Sequence, residues 1–445
     1  MLLRIRCLAN YEGDPLMIQL TRAISVCILA NALMPAIAAQ ATTYYVATTG
    51  SDANTCIQAK TQSTPRLTIP AGVACLAGGD TLIIKSGTYT NQEIKNPPAG
   101  SASNYTVIMG DPNGARPIID PDGAAFQRGL HCDNGEACRY IELRYVEIKT
   151  AYNYVKLSGD SIVGYPHHVS LINNIMHDSV LTGIFTVSSD TGFLGGDHLI
   201  EGNEFYRTGS GTAGYGPGFN TIYNPGSRTI IKGNTFHNLH HGVGIWHKNK
   251  ELQNVIVRNN VFYDIGRTIT DTWQQGATGY SAIHVSVPGG GHQIYNNIIY
   301  RSGDTSTFNA IRIDPKWNAA QTTTIKIYNN TIYDLKNANA HAIRVIPTTG
   351  GPYLIKNNIA YLAGAGIVGG TQSNNLTDDP SFTDAARANF TLQNRSIAID
   401  AGEVLDIVTT DFAGVRRPQG ASYDIGAYET GDGSSPLPPR ALSAR

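Results

Sequence analysis

One short phrase recurs through the chain and limits what it can fold into. "VSLINNIMHD" (169–178), "HLIEGNEFYR" (198–207), "TIIKGNTFHN" (229–238), "VIVRNNVFYD" (255–264), "HQIYNNIIYR" (292–301), "KIYNNTIYD" (326–334) and "YLIKNNIAYL" (353–362) share one layout around a fixed Asn. That residue is Asn174, Asn203, Asn234, Asn260, Asn297, Asn330 and Asn358, at spacings of 26 to 37 residues. A constant phrase at uneven spacing is what stacked coils with loop insertions produce. "YIELRYVEIK" (140–149) reads as an earlier turn with Arg144 and Tyr145 in the Asn positions, and "NYTVIMGDPNG" (104–114) as another.

Apolar residues recur at fixed offsets within each unit. Leu171, Ile200, Ile231, Val257, Ile294, Ile327 and Ile355 fill one column, and Met176, Phe205, Phe236, Phe262, Ile299, Ile332 and Ala360 another. Their period of two marks strands with one buried face. No unit can bury that face alone, so the coils must stack about 4.8 Å apart around a continuous core. A bend between two short strands then turns the repeated Asn inward, where stacked amides hydrogen-bond along the axis. Abundant glycine, 47 of 445 residues, suits many short strands and tight turns. The chain reads as all-β, a parallel β-solenoid with a cap at each end.

A formal net charge of −1 excludes the broad basic field that nucleic-acid binding needs. The stretch "MIQLTRAISVCILANALMPAIAAQA" (17–41) reads as a secretory signal peptide, with Arg22 before an apolar run from Ala23 to Ile37 and Ala-x-Ala sites ending at Ala38 or Ala41. That run is too short for a transmembrane helix, and no later segment qualifies. Residues 1–16 read as an upstream extension, with translation starting at Met17. The expected organisation is a signal peptide at 1–41, an amino-terminal cap and first strands at 42–100, and coils at 101–375. A carboxy-terminal cap follows at 376–430, then a disordered Gly/Ser/Pro-rich tail at 431–445. Export agrees with the cysteines. With Cys7 and Cys27 removed, Cys56, Cys75, Cys132 and Cys138 remain, most simply paired as Cys56–Cys75 and Cys132–Cys138. A metal site fits less well, because the spacings are not zinc-like and the histidines lie elsewhere. The expected product is a secreted, periplasmic or cell-surface monomer.

The Asn-bearing coils resemble the right-handed parallel β-helix of the pectate-lyase-like superfamily. "YYVATTGSD" (44–52) and "LAGGDTLIIKSGTYT" (76–90) are similar to the amino-terminal cap of many secreted members. "DFAGVRRPQGASYDIGAYE" (411–429) resembles the closing segment of many secreted bacterial β-helix proteins. Together these cover about nine-tenths of the chain beyond the signal peptide. The resemblance implies the fold. It leaves the reaction open, because the superfamily holds lyases, hydrolases, epimerases and proteins with no known activity.

Any groove must be built from outward positions. A second strand follows each Asn turn, as in "GIFTVSS" (183–189), "TIYNPGS" (221–227), "GIWHKNK" (244–250), "AIHVSVP" (282–288), "AIRIDPK" (310–316) and "AIRVIPT" (342–348), with "YVKLSGD" (154–160) one coil earlier. With Ile or Val facing in, the next residue faces out, giving Lys156, Phe185, Tyr223, Trp246, His284, Arg312 and Arg344. The following outward row reads Ser158, Val187, Pro225, Lys248, Ser286, Asp314 and Ile346. Tyr223 and Trp246 offer flat faces to a sugar ring, and Arg312 and Arg344 can fork onto carboxylates. Lys156, Tyr223, Trp246, Asp314 and Arg344 are the expected substrate-binding residues. A third column, His177, Tyr206, His237, Tyr263, Tyr300, Tyr333 and Tyr361, recurs in every coil and reads as a structural stack.

The strip suits an extended acidic polysaccharide, and β-elimination of a uronate chain matches its chemistry. Cations neutralise the carboxylate, a base takes the C5 proton, and an acid protonates the leaving oxygen. Arg312 and Arg344 can do the first, Lys248 or His284 the second, and Tyr223 or Tyr280 the third. Some members of the superfamily use Ca²⁺ for neutralisation. Asp314, Asp264 and Asp271 are possible ligands here, without a compact calcium signature. Glycoside hydrolysis needs two carboxyls across a groove, and only Asp314 lies on the strip. The remaining alternatives are a uronate epimerase and a non-catalytic glycan-binding or structural β-helix.

Overall fold

A computed structural model describes residues 41–431 except 134–137, 160, 161, 163, 189–194, 210–219, 247–251, 267–280, 287, 288, 315–322 and 347–351. The expected signal peptide and tail therefore lie outside the described residues, apart from Ala41 and Gly431.

The coils stack as expected, and the fold is a right-handed parallel β-helix. Among the described residues three long parallel sheets run along it. Sheet A has twelve strands, from Thr43–Val46 to Thr371–Ser373. Sheet B has ten, from Thr88–Thr90 to Ile359–Tyr361, and sheet C ten, from Ile94–Lys95 to Ile367–Val368. Each coil contributes one strand to each sheet, so sequence-distant residues become neighbours at strand spacing. Both expected apolar columns are buried, and Phe205, Phe236 and Phe262 stack inside with ring centroids 4.9 and 4.6 Å apart.

The repeated Asn stands at the turn between sheets A and B. Asn203 Nδ2 donates to Asn234 Oδ1 at 3.0 Å, and Asn234, Asn260, Asn297 and Asn330 repeat the step up to Asn358 and Asn375. The earliest turn needs a correction. Leu143 pairs with Leu171 and Arg144 with Ile172, so Tyr145 and Val146, not Arg144 and Tyr145, take the Asn positions. The ladder ends there on the Val146 N–H, which donates to Asn174 Oδ1 at 3.1 Å.

The first Asn of each pair has a different task. Asn259, Asn296, Asn329 and Asn357 adopt left-handed backbone, with φ between 48 and 56°, a conformation that Asn tolerates better than most residues. Their side chains donate outward to carbonyls of the carboxy-terminal segment. Asn259 reaches Asp411 and Phe412, Asn296 reaches Thr410, Asn329 reaches Asp424 and Gly426, and Asn357 reaches Glu403. A short antiparallel hairpin, Phe382–Asp384 with Asn389–Leu392, adds Phe382 and Phe390 against Tyr300 and Tyr333.

The outward column of sheet B is the expected aromatic stack. His177, Tyr206, His237, Tyr263 and Tyr300 follow one another at 4.5 to 5.4 Å, each pair within 27° of parallel. His177 is held between Asp178 (2.6 Å) and Glu147 (3.1 Å), and His237 meets Glu204 at 3.1 Å.

Cys56 and Cys75 form a disulfide. The other expected bridge, Cys132–Cys138, is not made. Both residues are buried in the apolar core, where cysteine packs as a small hydrophobe.

His198 and His292 are buried beside the backbone of sheet A. Nδ1 of each accepts a backbone N–H from the preceding coil, from Val169 at 3.1 Å and Val255 at 3.2 Å. Burial pushes these imidazoles down to about 3 and about 4. Both stay neutral in the fold while an unfolded chain takes up protons below pH ~6.5. Their contribution is therefore level above that pH and is lost as pH falls from there toward 4. Between pH 7 and 5 the expected loss is about 2 kcal/mol for each. Urea denaturation at the two pH values checks it. The His198→Asn/His292→Asn variant keeps an acceptor but cannot titrate, and should show a shallower acid loss. An unchanged slope would refute the assignment.

Candidate functional site

Sheet C carries the expected strip. Strand register sets Lys156 against Phe185, Phe185 against Tyr223, His284 against Arg312 and Arg312 against Arg344. The same column continues backward to His131 and Lys95. Its outward row thus runs from cations through aromatics to cations again.

Trp246 stands elsewhere than the sequence suggested. Gly244 occupies the column between Tyr223 and His284, while Trp246 pairs with Ser286 in the next row. A Cβ at Gly244 would come within 2.6 Å of the Asn220 side chain, which would have to move to admit it. The Trp246 ring still lies against Tyr223, centroids 5.2 Å apart, and Phe185 flanks Tyr223 from the other side at 5.4 Å. Burial pushes the Tyr223 phenol up, so it keeps its proton through the neutral range. At Lys156, burial and then the Arg128 charge lower the ammonium.

Arg312 is half-enclosed and bonds Asp314, Nη2 to Oδ2 at 2.6 Å. Register stacks His284, Arg312 and Arg344 about one strand spacing apart. Three adjacent basic side chains beside one paired carboxylate make a locally electropositive face. Lys248, Asp271 and Tyr280 lie outside the described residues.

A further column was missed in the sequence. Asn220, His241, Ser281, Asn309 and His341 open five successive strands of sheet C, three positions before the Tyr223–Gly244–His284–Arg312–Arg344 row. The Ser281 N–H donates to His241 Nδ1 at 3.3 Å. Burial first, then the neighbouring His284, His240 and Arg312, holds His241 far below the ordinary imidazole range, hence neutral. Burial and Arg344 also lower His341. The visible signal was the recurring "SAIH", "NAIR" and "HAIR", in which a polar residue precedes a small one at each strand start.

Two acids join the strip at its amino-terminal end. His131 lies between Asp133, 2.5 Å from Nε2, and Glu93, 3.9 Å from Nδ1. Among the described residues no three His, Cys, Asp or Glu side chains gather into a metal-binding group. Asp314 is taken by Arg312, and Asp264 by the Arg301 fork at 2.8 and 2.6 Å. The described residues therefore do not fit a calcium cage.

The fold and this face define a parallel β-helix with an aromatic and cationic groove surface. No protein-family profile matches the chain, and no curated protein matches it. Solved structures do. Pectate lyase Pel9A superposes with a TM-score of 0.55 at 16% identity, over 87% of this chain and 96% of that one. A rhamnogalacturonan lyase gives 0.53 at 16% identity, over 80% and 95%. XylC in complex with xylose gives 0.50 at 11% identity, over 87% and 99%. This chain has the pectate-lyase-like β-helix fold, and at these identities the likeness speaks for the fold alone.

Proposed function

We propose that the protein is exported and acts on acidic, uronate-containing polysaccharide, cleaving it by β-elimination. The observation that carries this is the in-register stack of His284, Arg312 and Arg344 beside Tyr223 and Trp246. The aromatics hold sugar rings, and the arginines neutralise carboxylates so that the C5 proton becomes acidic. His284 and Lys248 are the candidate bases. Tyr223, which retains its proton, is the candidate acid. Two structures of the same fold are a pectate lyase and a rhamnogalacturonan lyase, which agrees with the reading. The Cys56–Cys75 disulfide supports an oxidising compartment.

Incubation with pectate, alginate, chondroitin and heparin-type chains, with calcium or chelator, tests this through the ultraviolet absorbance of the unsaturated product. Arg312→Ala should lower turnover about 100-fold or more, and Lys248→Ala and His284→Ala should also abolish most of it. Tyr263→Phe, in the structural stack, should leave it unchanged. Absence of absorbance on every chain counts against elimination. New reducing ends without absorbance would indicate hydrolysis, and would direct attention to Glu93 and Asp133.

A further inference from the structure

Stacked polar columns in this fold are normally satisfied from within. The inner Asn column bonds itself and adjacent backbone at each step. The outer Asn side chains donate to carbonyls of the carboxy-terminal segment, and of their oxygens Asn296 Oδ1 alone is buried without a partner among the described residues. The column at the start of the sheet C strands departs from this rule. Among the described residues, Asn220 Oδ1, Ser281 Oγ, Asn309 Oδ1 and His341 Nδ1 are buried without a hydrogen-bond partner. Ser281 and Asn309 are only 1% and 0% exposed. An unmet buried polar atom costs more stability than an ordinary hydrogen bond adds, so four in one column point to a role outside folding. Three positions further along the same strands stand His284, Arg312 and Arg344.

We infer that Ser281 and Asn309 form the floor of a saccharide subsite, bonding free hydroxyls of the sugar whose carboxylate Arg312 meets. This rests on the acidic-polysaccharide reading above and adds the feature that is recognised. The Asn309 amide is fixed in orientation, because Nδ2 donates to the Thr307 carbonyl at 2.9 Å. Its Oδ1 is therefore the end left for a ligand, and a carbonyl oxygen only accepts. The ligand group must be a donor. A ring hydroxyl qualifies, and its acetyl ester does not. The subsite selects uronates that are unmodified at that hydroxyl.

Calorimetric titration of the full-length protein with pectate, alginate and heparin-type oligomers, and with O-acetylated forms of those that bind, tests this. Ser281→Ala and Ser281→Ala/Asn309→Ala are titrated alongside, and thermal unfolding of each is recorded. Ser281→Ala should weaken binding about five- to tenfold and leave Tm unchanged or higher, since it removes an unsatisfied group. The double variant should bind more weakly still, and acetylated oligomers should bind at least about tenfold more weakly. Wild-type affinity in both variants overturns the subsite, as does equal affinity for acetylated chains. A clear fall in Tm for Ser281→Ala also overturns it, because the hydroxyl would then be holding the fold. Unsaturated product from wild type with unchanged KM in the variants sinks the subsite alone. Binding through Ser281 without product sinks elimination alone, and no binding to any oligomer sinks both.

Discussion

Arg417→Ala should cost about 3–5 kcal/mol of stability, a larger loss than any surface change in this chain. The guanidinium is fully enclosed. Nη1 donates to Glu429 Oε2 at 2.6 Å and to the Asp424 carbonyl at 2.9 Å, and Nη2 to the Gly426 carbonyl at 2.8 Å. Around it Asp411 accepts the Glu429 N–H, and Glu429 accepts the N–H groups of Gln419 and Asp424. Burial already pushes Asp411 and Glu429 upward, with the Arg417 charge opposing it. Without the cation, two enclosed carboxyls lose their counter-charge and two carbonyls lose a donor. Urea denaturation measures the loss. Arg417→Met/Glu429→Gln, which removes both charges, should be less damaging than Arg417→Ala. A single-variant loss below about 1 kcal/mol, the scale of an exposed pair, would show that the cluster is not a stability element.

Asn260→Ala is expected to cost about 4 kcal/mol, from two or more orphaned groups at roughly 1–3 kcal/mol each. Asn260 donates to the Ile231 carbonyl at 2.9 Å and to Asn297 Oδ1 at 3.0 Å, and accepts both the N–H and the Nδ2 of Asn234. Alanine leaves the Asn234 N–H and the Ile231 carbonyl unmet in a dry interior. Water cannot easily replace the amide there, since Asn234 and Asn260 are 1% and 0% exposed. Asn375→Ala, at the half-exposed end of the ladder, should cost less because solvent reaches the site. Equal losses at the two positions would mean that the ladder adds nothing beyond side-chain volume.

The sequence displayed what repeats at fixed offsets from a landmark. Asn174 to Asn358, the apolar columns and the His177–Tyr300 stack were legible because each coil restates them. Trp246 was displaced because a two-residue slip leaves every side chain on its own face, so alternation cannot detect it. A one-residue error at Arg144 went unseen because that turn lacks the Asn landmark. His241, Ser281 and Asn309 were missed where alternation itself breaks. At the corner two successive residues, such as Ala282 and Ile283, are both buried, which offsets the polar residue before them. The notch at Gly244 depends on Asn220, a coil away, and nothing local announces it. The clasp on the carboxy-terminal segment was invisible for another reason: its acceptors are main-chain carbonyls, which every residue carries.

That last point bears on how such a chain can diverge. The amides of Asn259, Asn296, Asn329 and Asn357 grip the backbone of residues 403–426, not its side chains. Glu403, Leu405 and Val408 also touch the coils through their side chains, so the letters free to change are the exposed ones between these and the gripped carbonyls. The seam is thus a ready place to graft a foreign peptide: it would be displayed along the flank of the helix, on the side of sheets A and B, leaving the strip on sheet C untouched.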